Sequence, residues 1–567
     1  MKASDYLVEF LIRQGITDVF GYPGGMVTHL MDSFAKYQEK ISAHVTYHEQ
    51  GAAFAACGYA QVSGKVGVAY ATSGPGATNL ITGICNAYFD SIPTVFLTGQ
   101  VNEYESRGHL AVRQRGFQET DIVSIIKPVT KWAVHVEKTE DLPVCLEKAF
   151  VTASSGRKGP VLLDIPMNVF REDLHMELAP KRITVTEESS ISAGDISRIL
   201  SDALSNSSRP CILVGNGVKI AGFGNEIRHF IDRAGIPAVT SMIAFDVLSD
   251  DPYSYGFIGA YGTRTGNFIA AKSDLIISIG SRMDIRQVGV KREQFAPEAK
   301  IIRFDIDAGE LEYPVHTGET QIHTNMESIV AALERVQIDG NYSAWVKICN
   351  EIRTALSGLD QNTTSRVIEQ LGQQVPSNAV ITTDVGQNQV WVAQSFKIKD
   401  GQSVLFSGGH GAMGYSLPAS IGAYYGAPNR PVLCITGDGG MQMNIQELQF
   451  IAKEKLPIKI VVLNNNALGM IRHFQEMYFS GCYFQTKPEG GYTAPDFSKI
   501  AKAYGIRGRR IDASDEIVDL FVSSEPELLE VVINEDTYVI PKLEFGKPNQ
   551  DQEPLIDRKL YSRLMNL

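Results

Sequence analysis

The sequence predicts an α/β protein built from three doubly wound parallel-sheet domains. Three observations lead there. Short apolar, β-branched runs alternate with stretches of helical period along the whole chain, the pattern of repeated strand–helix–strand units. Many of these runs end in glycine-rich turns, at the carboxyl edge where open parallel sheets bind ligands. The chain has 567 residues, enough for about three domains.

The expected domains are residues 1–171, 193–335 and 365–545, with a charged linker at 172–192, a second linker at about 339–364 and a tail at 546–567. In the first domain, a helix at 6–14 leads to a short strand at 18–21, the Tyr22-Pro23-Gly24-Gly25 loop and a strand at 43–47. His48-Glu49-Gln50-Gly51 then opens a helix running to 61. A strand at 66–71, the turn Ser73-Gly74-Pro75-Gly76, a helix from 79, Pro93 and a strand at 94–98 follow. Residues 156–167 form a turn and a strand. The middle domain shows strands at 211–214, 238–242, 275–279 and 301–304. The first, third and fourth end in Gly215-Asn216-Gly217, in Gly280-Ser281-Arg282-Met283-Asp284-Ile285-Arg286 and in Asp305-Ile306-Asp307. The third domain holds the loop Ser407-Gly408-Gly409-His410-Gly411-Ala412-Met413-Gly414 before a helix. A strand at 431–435 follows, then a helix at 444–455, Pro457 and a strand at 458–463.

Composition bounds the function. Apolar content is 44% and charged content 20%, ordinary for a soluble globular protein. The net charge is −12 with no long basic run, which argues against nucleic acid as a partner. The seven cysteines show no metal-ligand spacing, and several fall in apolar segments, which points to reduced core thiols and a cytoplasmic setting. The first residues read as an amphipathic helix interrupted by charges, not a secretory signal. No apolar run approaches the ~18 residues of a membrane span.

The chemistry centres on Thr436-Gly437-Asp438-Gly439-Gly440 and Asn464-Asn465-Asn466. A right-handed parallel crossover places Asp438 and Asn465 side by side at the carboxyl edge of one sheet. One carboxylate and one amide oxygen, completed by phosphate oxygens and water, make an octahedral Mg²⁺ site. The glycines let backbone N–H groups approach a diphosphate, and a helix N-terminus favours the anion. A lone GDGG would also serve as a tight turn; the asparagines at the end of the next strand argue for the metal. The block from Thr72 to Pro93 recurs without a gap from Thr436 to Pro457, so one α/β unit occurs twice. The first copy has Gly74 where the second has Asp438, so only the second copy is expected to hold metal.

GDGG followed by the asparagine run resembles the motif of thiamine-diphosphate (ThDP) enzymes. Leu468-Gly469-Met470 and much of the remaining chain resemble the acetohydroxyacid (acetolactate) synthases. The resemblance implies that Asp438, Asn465 and the carbonyl of Ala467 bind Mg²⁺. It implies that Pro23, Gly24, Gly411, Met413, Gly437, Gly439, Gly440, Leu468, Gly469 and Met470 hold the cofactor, with Met413 supporting its bent form. It matches Glu49, at a strand-to-helix junction where a carboxyl group is readily buried, to the glutamate that hydrogen-bonds the aminopyrimidine ring and activates the thiazolium carbon. That glutamate meets the metal site across two subunits, so a homodimer or homotetramer is expected. Phe117 and Gln118 are placed near the reacting carbon. Where simple 2-keto acid decarboxylases carry adjacent histidines, this chain has Arg113-Gln114-Arg115.

The resemblance also implies a non-redox FAD in the middle domain, with Arg157, Gly215, Asn216, Gly217, Gly280, Arg282, Asp284, Arg286 and Asp305 as contacts, although Ile285 replaces an aspartate usual there. Near the acceptor, Met167 replaces a lysine and Phe474 a tryptophan, while Arg286, which can hold an acceptor carboxylate, is retained. The implied activity is decarboxylation of pyruvate with transfer of its two-carbon unit to a second carbonyl. That acceptor is a second pyruvate, giving 2-acetolactate, or the ketone of a nucleotide-linked deoxy-keto-sugar. A pyruvate oxidase-like enzyme and a non-catalytic nucleotide-binding protein are the other readings. His410 has no assigned role, and the tail is either a lid or a free terminus.

Overall fold

The computed structural model describes residues 1–174 and 191–567, so most of the linker expected at 172–192 lies outside the described residues. Among those residues, the strands form three six-stranded sheets in which all pairings are parallel. The first contains β1 (Asp18–Gly21), β2 (Ser42–Val45), β3 (Gly67–Ala71), β4 (Thr94–Gln100), β5 (Trp132–His135) and β6 (Pro160–Pro166), in the order β2-β1-β3-β4-β6-β5. The second contains β7 (Pro210–Val214), β8 (Ala238–Thr240), β9 (Ser254–Phe257), β10 (Leu275–Ile279), β11 (Lys300–Asp305) and β12 (Thr320–His323), in the order β12-β11-β10-β7-β8-β9. The third contains β13 (Val380–Thr383), β14 (Ser403–Leu405), β15 (Val432–Gly437), β16 (Lys459–Asn464), β17 (Arg507–Asp512) and β18 (Glu527–Val532), in the order β14-β13-β15-β16-β18-β17. Long apolar runs such as Leu275–Ile279 and Val432–Ile435 are buried throughout, as strands covered on both faces must be.

The first and third sheets share one strand order, as a duplicated unit requires. β3, helices Pro75–Asn79 and Ile81–Phe89, and β4 recur as β15, helices Asp438–Met443 and Leu448–Glu454, and β16. In both copies the helix begins earlier than expected. Pro75 and Gly76 open the first copy, since proline tolerates a first-turn position that lacks an acceptor. Asp438 starts the second directly after β15, where its carboxylate complements the helix dipole. The second sheet differs. Its strand order is the doubly wound dinucleotide-binding order, with the switch between β10 and β7.

The chain gathers into two compact units. One holds Met1–Thr186, Asn378–Gln389 and Ser403–Glu535, and so contains the first and third sheets; the other holds Glu187–Ser377, Val390–Gln402 and Asp536–Leu567. In the first unit one apolar core runs from Phe20, Ala53 and Phe96 to Cys434, Leu448 and Ile460. Helices Glu49–Ser63 and Ser416–Gly426 cross within it at backbone contact. A Cβ on Gly58 would lie 2.2 Å from the Ala419 carbonyl oxygen, and one on Gly422 would lie 1.8 Å from that of Ala55. In the second unit, helix Ser343–Leu356 lies within the expected second linker. It buries Trp345, Cys349 and Ile352, and the Trp345 indole donates to the Pro210 carbonyl (3.0 Å). The tail is docked there too: helix Arg558–Asn566 buries Leu564 against Phe268, Ile352 and Leu356.

Candidate active site

At the carboxyl edge of the third sheet, β15 delivers Asp438 and β16 delivers the asparagines. Asp438 is 4% exposed; its Oδ1 accepts the Gly439 amide (2.9 Å) and its Oδ2 the Ala467 amide (3.1 Å). That second bond brings Ala467 to the aspartate. Burial pushes the Asp438 carboxyl up to about 7, and the two amides hold it back from going higher. The Asn465 amide donates from Nδ2 to Gln387 Oε1 (3.0 Å), which turns its nitrogen to Gln387 and would leave its carbonyl oxygen for a cation. One carboxylate and one amide oxygen would fit Mg²⁺ completed by phosphate oxygens and water. Among the described residues there is no group of three or more His, Cys, Asp or Glu side chains that could hold a metal.

Around this set the glycines have separate reasons. A Cβ on Gly439 would touch Met413 Cε (3.0 Å), Leu468 Cδ2 (3.0 Å) and the Tyr492 hydroxyl (3.4 Å), so those side chains converge on the turn. A Cβ on Gly469 would fall 1.9 Å from Gln387 Oε1 and 2.8 Å from Asn465 Nδ2, so Gly469 makes room for the pair that aims Asn465. Gly411 faces open space at φ +69°. The loop carrying Met413 is pinned by Asp384, whose carboxylate accepts the amides of Val385 (2.9 Å), Gly414 (2.9 Å) and Ser416 (3.1 Å) and the Ser416 hydroxyl (2.9 Å). Burial raises that carboxyl to about 6.

A second constellation sits at the carboxyl edge of the first sheet. Glu49 is 8% exposed at the start of its helix, where His48 Nδ1 caps the Gln50 amide. Its Oε2 accepts from Asn79 Nδ2 (2.9 Å), and its Oε1 lies 3.2 Å from where a Gly76 Cβ would be. Gly74, at φ +62°, faces Gln118, with 2.9 Å between a built Cβ and that of Gln118, so the position homologous to Asp438 has no space for a carboxylate. Gln118 itself holds φ +63°, a conformation rare for a non-glycine residue and concentrated at functional sites. Pro23-Gly24 packs on Thr72, whose hydroxyl takes the Met26 amide (3.1 Å). Phe117 projects outward, 80% exposed. What meets the start of the Glu49 helix within the chain is Glu447, which takes the Tyr47 amide (3.0 Å), and Asn444, which donates to Gln50 (3.0 Å).

Comparison with known proteins finds matches along most of the chain. Residues 1–125, 198–336 and 384–527 match the N-terminal, central and C-terminal domains of thiamine pyrophosphate enzymes. The large subunit of acetolactate synthase isozyme 2 from Escherichia coli (strain K12) is 36% identical over 561 residues, covering 97% of this chain and 99% of that protein. The chain belongs to the acetolactate synthase family of thiamine pyrophosphate enzymes. The acetolactate synthase large subunit of Lactococcus lactis subsp. lactis (strain IL1403) is 34% identical, covering 96% of this chain and 95% of that protein. Acetolactate synthase 1, chloroplastic, of Oryza sativa subsp. japonica is 36% identical, covering 97% and 87%.

The remaining positions expected in this acetolactate synthase-family chain fall as follows. At the switch point of the second sheet, Gly215 and Gly280 are pressed together. Gly217 N–H donates to the Gly280 carbonyl (2.9 Å), and a Cβ on Gly215 would lie 2.1 Å from that oxygen. These glycines serve backbone packing between two turns. Arg282 lies 3.6 Å from Asp284 and 3.9 Å from Glu310. Its loop is held by Arg303, a fully buried residue the sequence reading missed, which donates to the carbonyls of Arg282 (2.9 Å), Glu310 (2.7 Å) and Tyr313 (3.1 Å) and pairs with Glu319 (3.3 Å). The Asp305 carboxylate takes the Asp307 amide (2.9 Å). In the first unit, Arg157 donates to Ser91 (3.0 Å), Met167 begins helix Met167–Arg171, and Phe474 packs its ring on Tyr478 at 4.7 Å. Met470, in helix Gly469–Tyr478, is half-buried. His410 stacks on Phe89. Gln387, Asp384 and Asn79 were also missed, because each acts through a side chain brought close only by the fold. All seven cysteines are free, and no helix among the described residues is long and apolar enough to cross a membrane.

Proposed function

We propose that this protein is a ThDP- and Mg²⁺-dependent carboligase that decarboxylates pyruvate and joins its two-carbon unit to a second pyruvate, giving 2-acetolactate. The observation that supports this best is the placing of Asp438 and Asn465 at the ends of adjacent parallel strands, with Ala467 hydrogen-bonded to Asp438 and Met413 beside the Gly439 turn. Those residues, with Gly437, Gly439 and Gly440, would hold the cation and the diphosphate, and Leu468, Gly469, Met470 and Gly411 would border the cofactor. Bound ThDP supplies an electron sink for the carbanion left when CO₂ departs. Glu49 would hold the proton at the pyrimidine ring nitrogen; Asn79 fixes one of its oxygens, and the glycine turn at 74–76 leaves room beside the other. By resemblance, Gln118 and Phe117 would border the reacting carbon. By resemblance, Arg286 orients the acceptor carboxylate, and Met167 and Phe474 shape its pocket. A second pyruvate is preferred to a keto-sugar acceptor because the relatives named above are acetolactate synthases.

The same reading assigns residues 1–171 to the pyrimidine, 193–335 to a flavin and 365–545 to the diphosphate. FAD would lie along the second sheet's switch point, with Arg282, Asp284 and Asp305 beside it and Arg157 contributing by resemblance. The carboligation needs no redox step, so its role is structural. Glu49 and Asp438 belong to separate constellations with different neighbours, which favours a homodimer in which two chains complete each site. Seven free thiols favour a cytoplasmic setting.

The test is ¹³C-pyruvate with the purified protein, ThDP, Mg²⁺ and FAD, with products followed by NMR. Acetolactate as the main product is expected, and Glu49→Gln should slow it at least a hundredfold. Wild-type turnover by Glu49→Gln, or no carbon–carbon product from the wild type, would refute the proposal.

A further inference from the structure

His135, at the end of β5, is held between two carboxylates. Its Nδ1 faces Asp164 Oδ2 (2.9 Å) and its Nε2 faces Glu103 Oε1 (2.8 Å). A neutral imidazole carries one N–H and can donate to only one of them, so engaging both requires the imidazolium. Asp121, which caps helix Ile122–Ile126, adds a further negative charge nearby. Burial works against the charged ring, but the Asp164 and Glu103 carboxylates outweigh it and raise the ring to about 9.

Asp164 is also the point at which a loop is closed. It lies on β6, 2% exposed, and accepts the Thr98 hydroxyl (2.8 Å) and Gln100 Nε2 (3.1 Å). Gln100 Nε2 donates in addition to the Thr120 carbonyl (2.9 Å). Gln100 ends β4 and Thr120 ends the segment that follows, so both ends of the 101–119 loop are gathered at Asp164. Glu103 lies near the start of that loop, and His135 fastens it to the same carboxylate. Further along, Glu119 accepts the amides of Arg107 (2.7 Å), Arg115 (2.9 Å) and Gly116 (3.2 Å) and the Ser106 hydroxyl (3.1 Å). Beside Glu119 stands Gln118, whose φ of +63° and whose contact with the Gly74 turn are set by this path of the chain.

We propose that His135 is a positioning residue for the carboligation: by joining Glu103 to Asp164 it fixes the path of the 101–119 loop, and with it the placing of Gln118 beside the reacting carbon. The proposal rests on the carboligase reading above. A charge-assisted bond at each ring nitrogen makes the bridge strong, and loss of the proton leaves one carboxylate facing a lone pair. The bridge therefore contributes fully below the ordinary histidine value of 6.5 and is lost as pH rises through about 9.

Two experiments decide it. The first is hydrogen–deuterium exchange of the full-length, ThDP-free protein, read over residues 101–119 and corrected for the intrinsic pH dependence of exchange. Protection of the wild-type loop should fall at least fivefold between about pH 7.5 and about pH 9.5. His135→Leu should exchange at least tenfold faster than wild type at the lower pH and show no such fall. His135→Arg stays charged and can face both carboxylates, so it should keep its protection at both values. Helix Glu49–Ser63 serves as the check that the fold is kept, and the comparison of wild type with His135→Arg decides the matter even if His135→Leu does not fold. The second experiment follows carboligation of pyruvate. His135→Leu should lower kcat at least tenfold, with ThDP affinity in a fluorescence titration within about twofold of wild type, and His135→Arg should restore kcat. Equal loop protection in wild type and His135→Leu, wild-type protection that does not change with pH, or an unchanged kcat with a loosened loop overturns the proposal. So does a loss of ThDP affinity that matches the loss of kcat, which would assign His135 to cofactor binding. A wild type whose loop exchanges as expected but that forms no carbon–carbon bond would refute the carboligase reading alone.

Discussion

Glu447 offers a direct test of the packing beneath the Glu49 helix. Its side chain is fully buried; one oxygen accepts the Tyr47 amide at 3.0 Å, and among the described residues the other has no hydrogen-bond partner. Burial moves its carboxyl from 4.5 to about 8, so the folded protein keeps a proton that the unfolded chain releases. The folded state therefore binds more protons than the unfolded state between those values, and stability falls as pH rises through that window. At about 1.36 kcal/mol per pH unit, the loss by pH 7 relative to pH 4.5 is about 3 kcal/mol, and the full window sets a ceiling of about 5 kcal/mol. Glu447→Gln keeps the acceptor for Tyr47 and cannot ionise. Its advantage over wild type should be near zero below pH 4.5 and should grow with pH, reaching roughly 4 °C in melting temperature at pH 7 for a unit of this size. Melting curves of both proteins from pH 4.5 to 8.5 measure this. Asp384 and Asp438 titrate in both proteins, so their contributions cancel in the difference. A difference that does not change with pH would refute the reasoning, and a variant that loses ground as pH rises would reverse its sign.

Three further outcomes follow from the geometry. Gly469→Ala puts a methyl group where Gln387 and Asn465 meet, so Mg²⁺ affinity should fall about 10–100-fold in a metal titration of ThDP binding, the usual scale for disturbing a ligand's supporting partner. Asn79→Leu frees the Glu49 oxygen held at 2.9 Å, so exchange of the C2 proton of bound ThDP, followed by NMR, should slow about tenfold or more, the scale expected when a proton-handling group is misplaced. Gly422→Ala drives a methyl group into the Ala55 carbonyl at the helix crossing. It should cost about 1–3 kcal/mol or more, measured as a lowered melting temperature, while Gly411→Ala, which meets open space but at φ +69°, should cost only about 1 kcal/mol.

The neighbouring strand ends that carry Asp438 and Asn465, and the sheet repeat, were legible because each rests on one strand–helix–strand unit. Asp438 and Asn465 come from adjacent parallel strands joined by a single crossover, so sequence order alone puts them at one edge. The duplication of residues 72–93 at 436–457 predicted a shared architecture, and the two sheets share their strand order. Element boundaries were less legible. The helix opening at Asp438 was expected several residues later, since GDGG reads as loop until the turn's hydrogen bonds are known. The stretch at 339–364 was read as a linker that includes helical residues, whereas the burial of Trp345, Cys349 and Ile352 in its helix shows only against the core it covers.

By itself, then, the sequence determined the fold class, the family and the placing of Asp438 and Asn465 at the ends of neighbouring strands. The first and last of these follow from periodicity and from the fixed hand of parallel crossovers. The tertiary structure alone decided which side chains orient the functional ones: Gln387 behind Asn465, Asp384 beneath the Met413 loop, Asn79 on Glu49 and Arg303 under the Arg282 loop. It also decided that Gly215 and Gly280 pack on each other. The physical reason is the same in each case. A hydrogen bond or a desolvated charge is set by distances of about 3 Å between residues far apart in the chain, and no spacing along the sequence encodes such a distance.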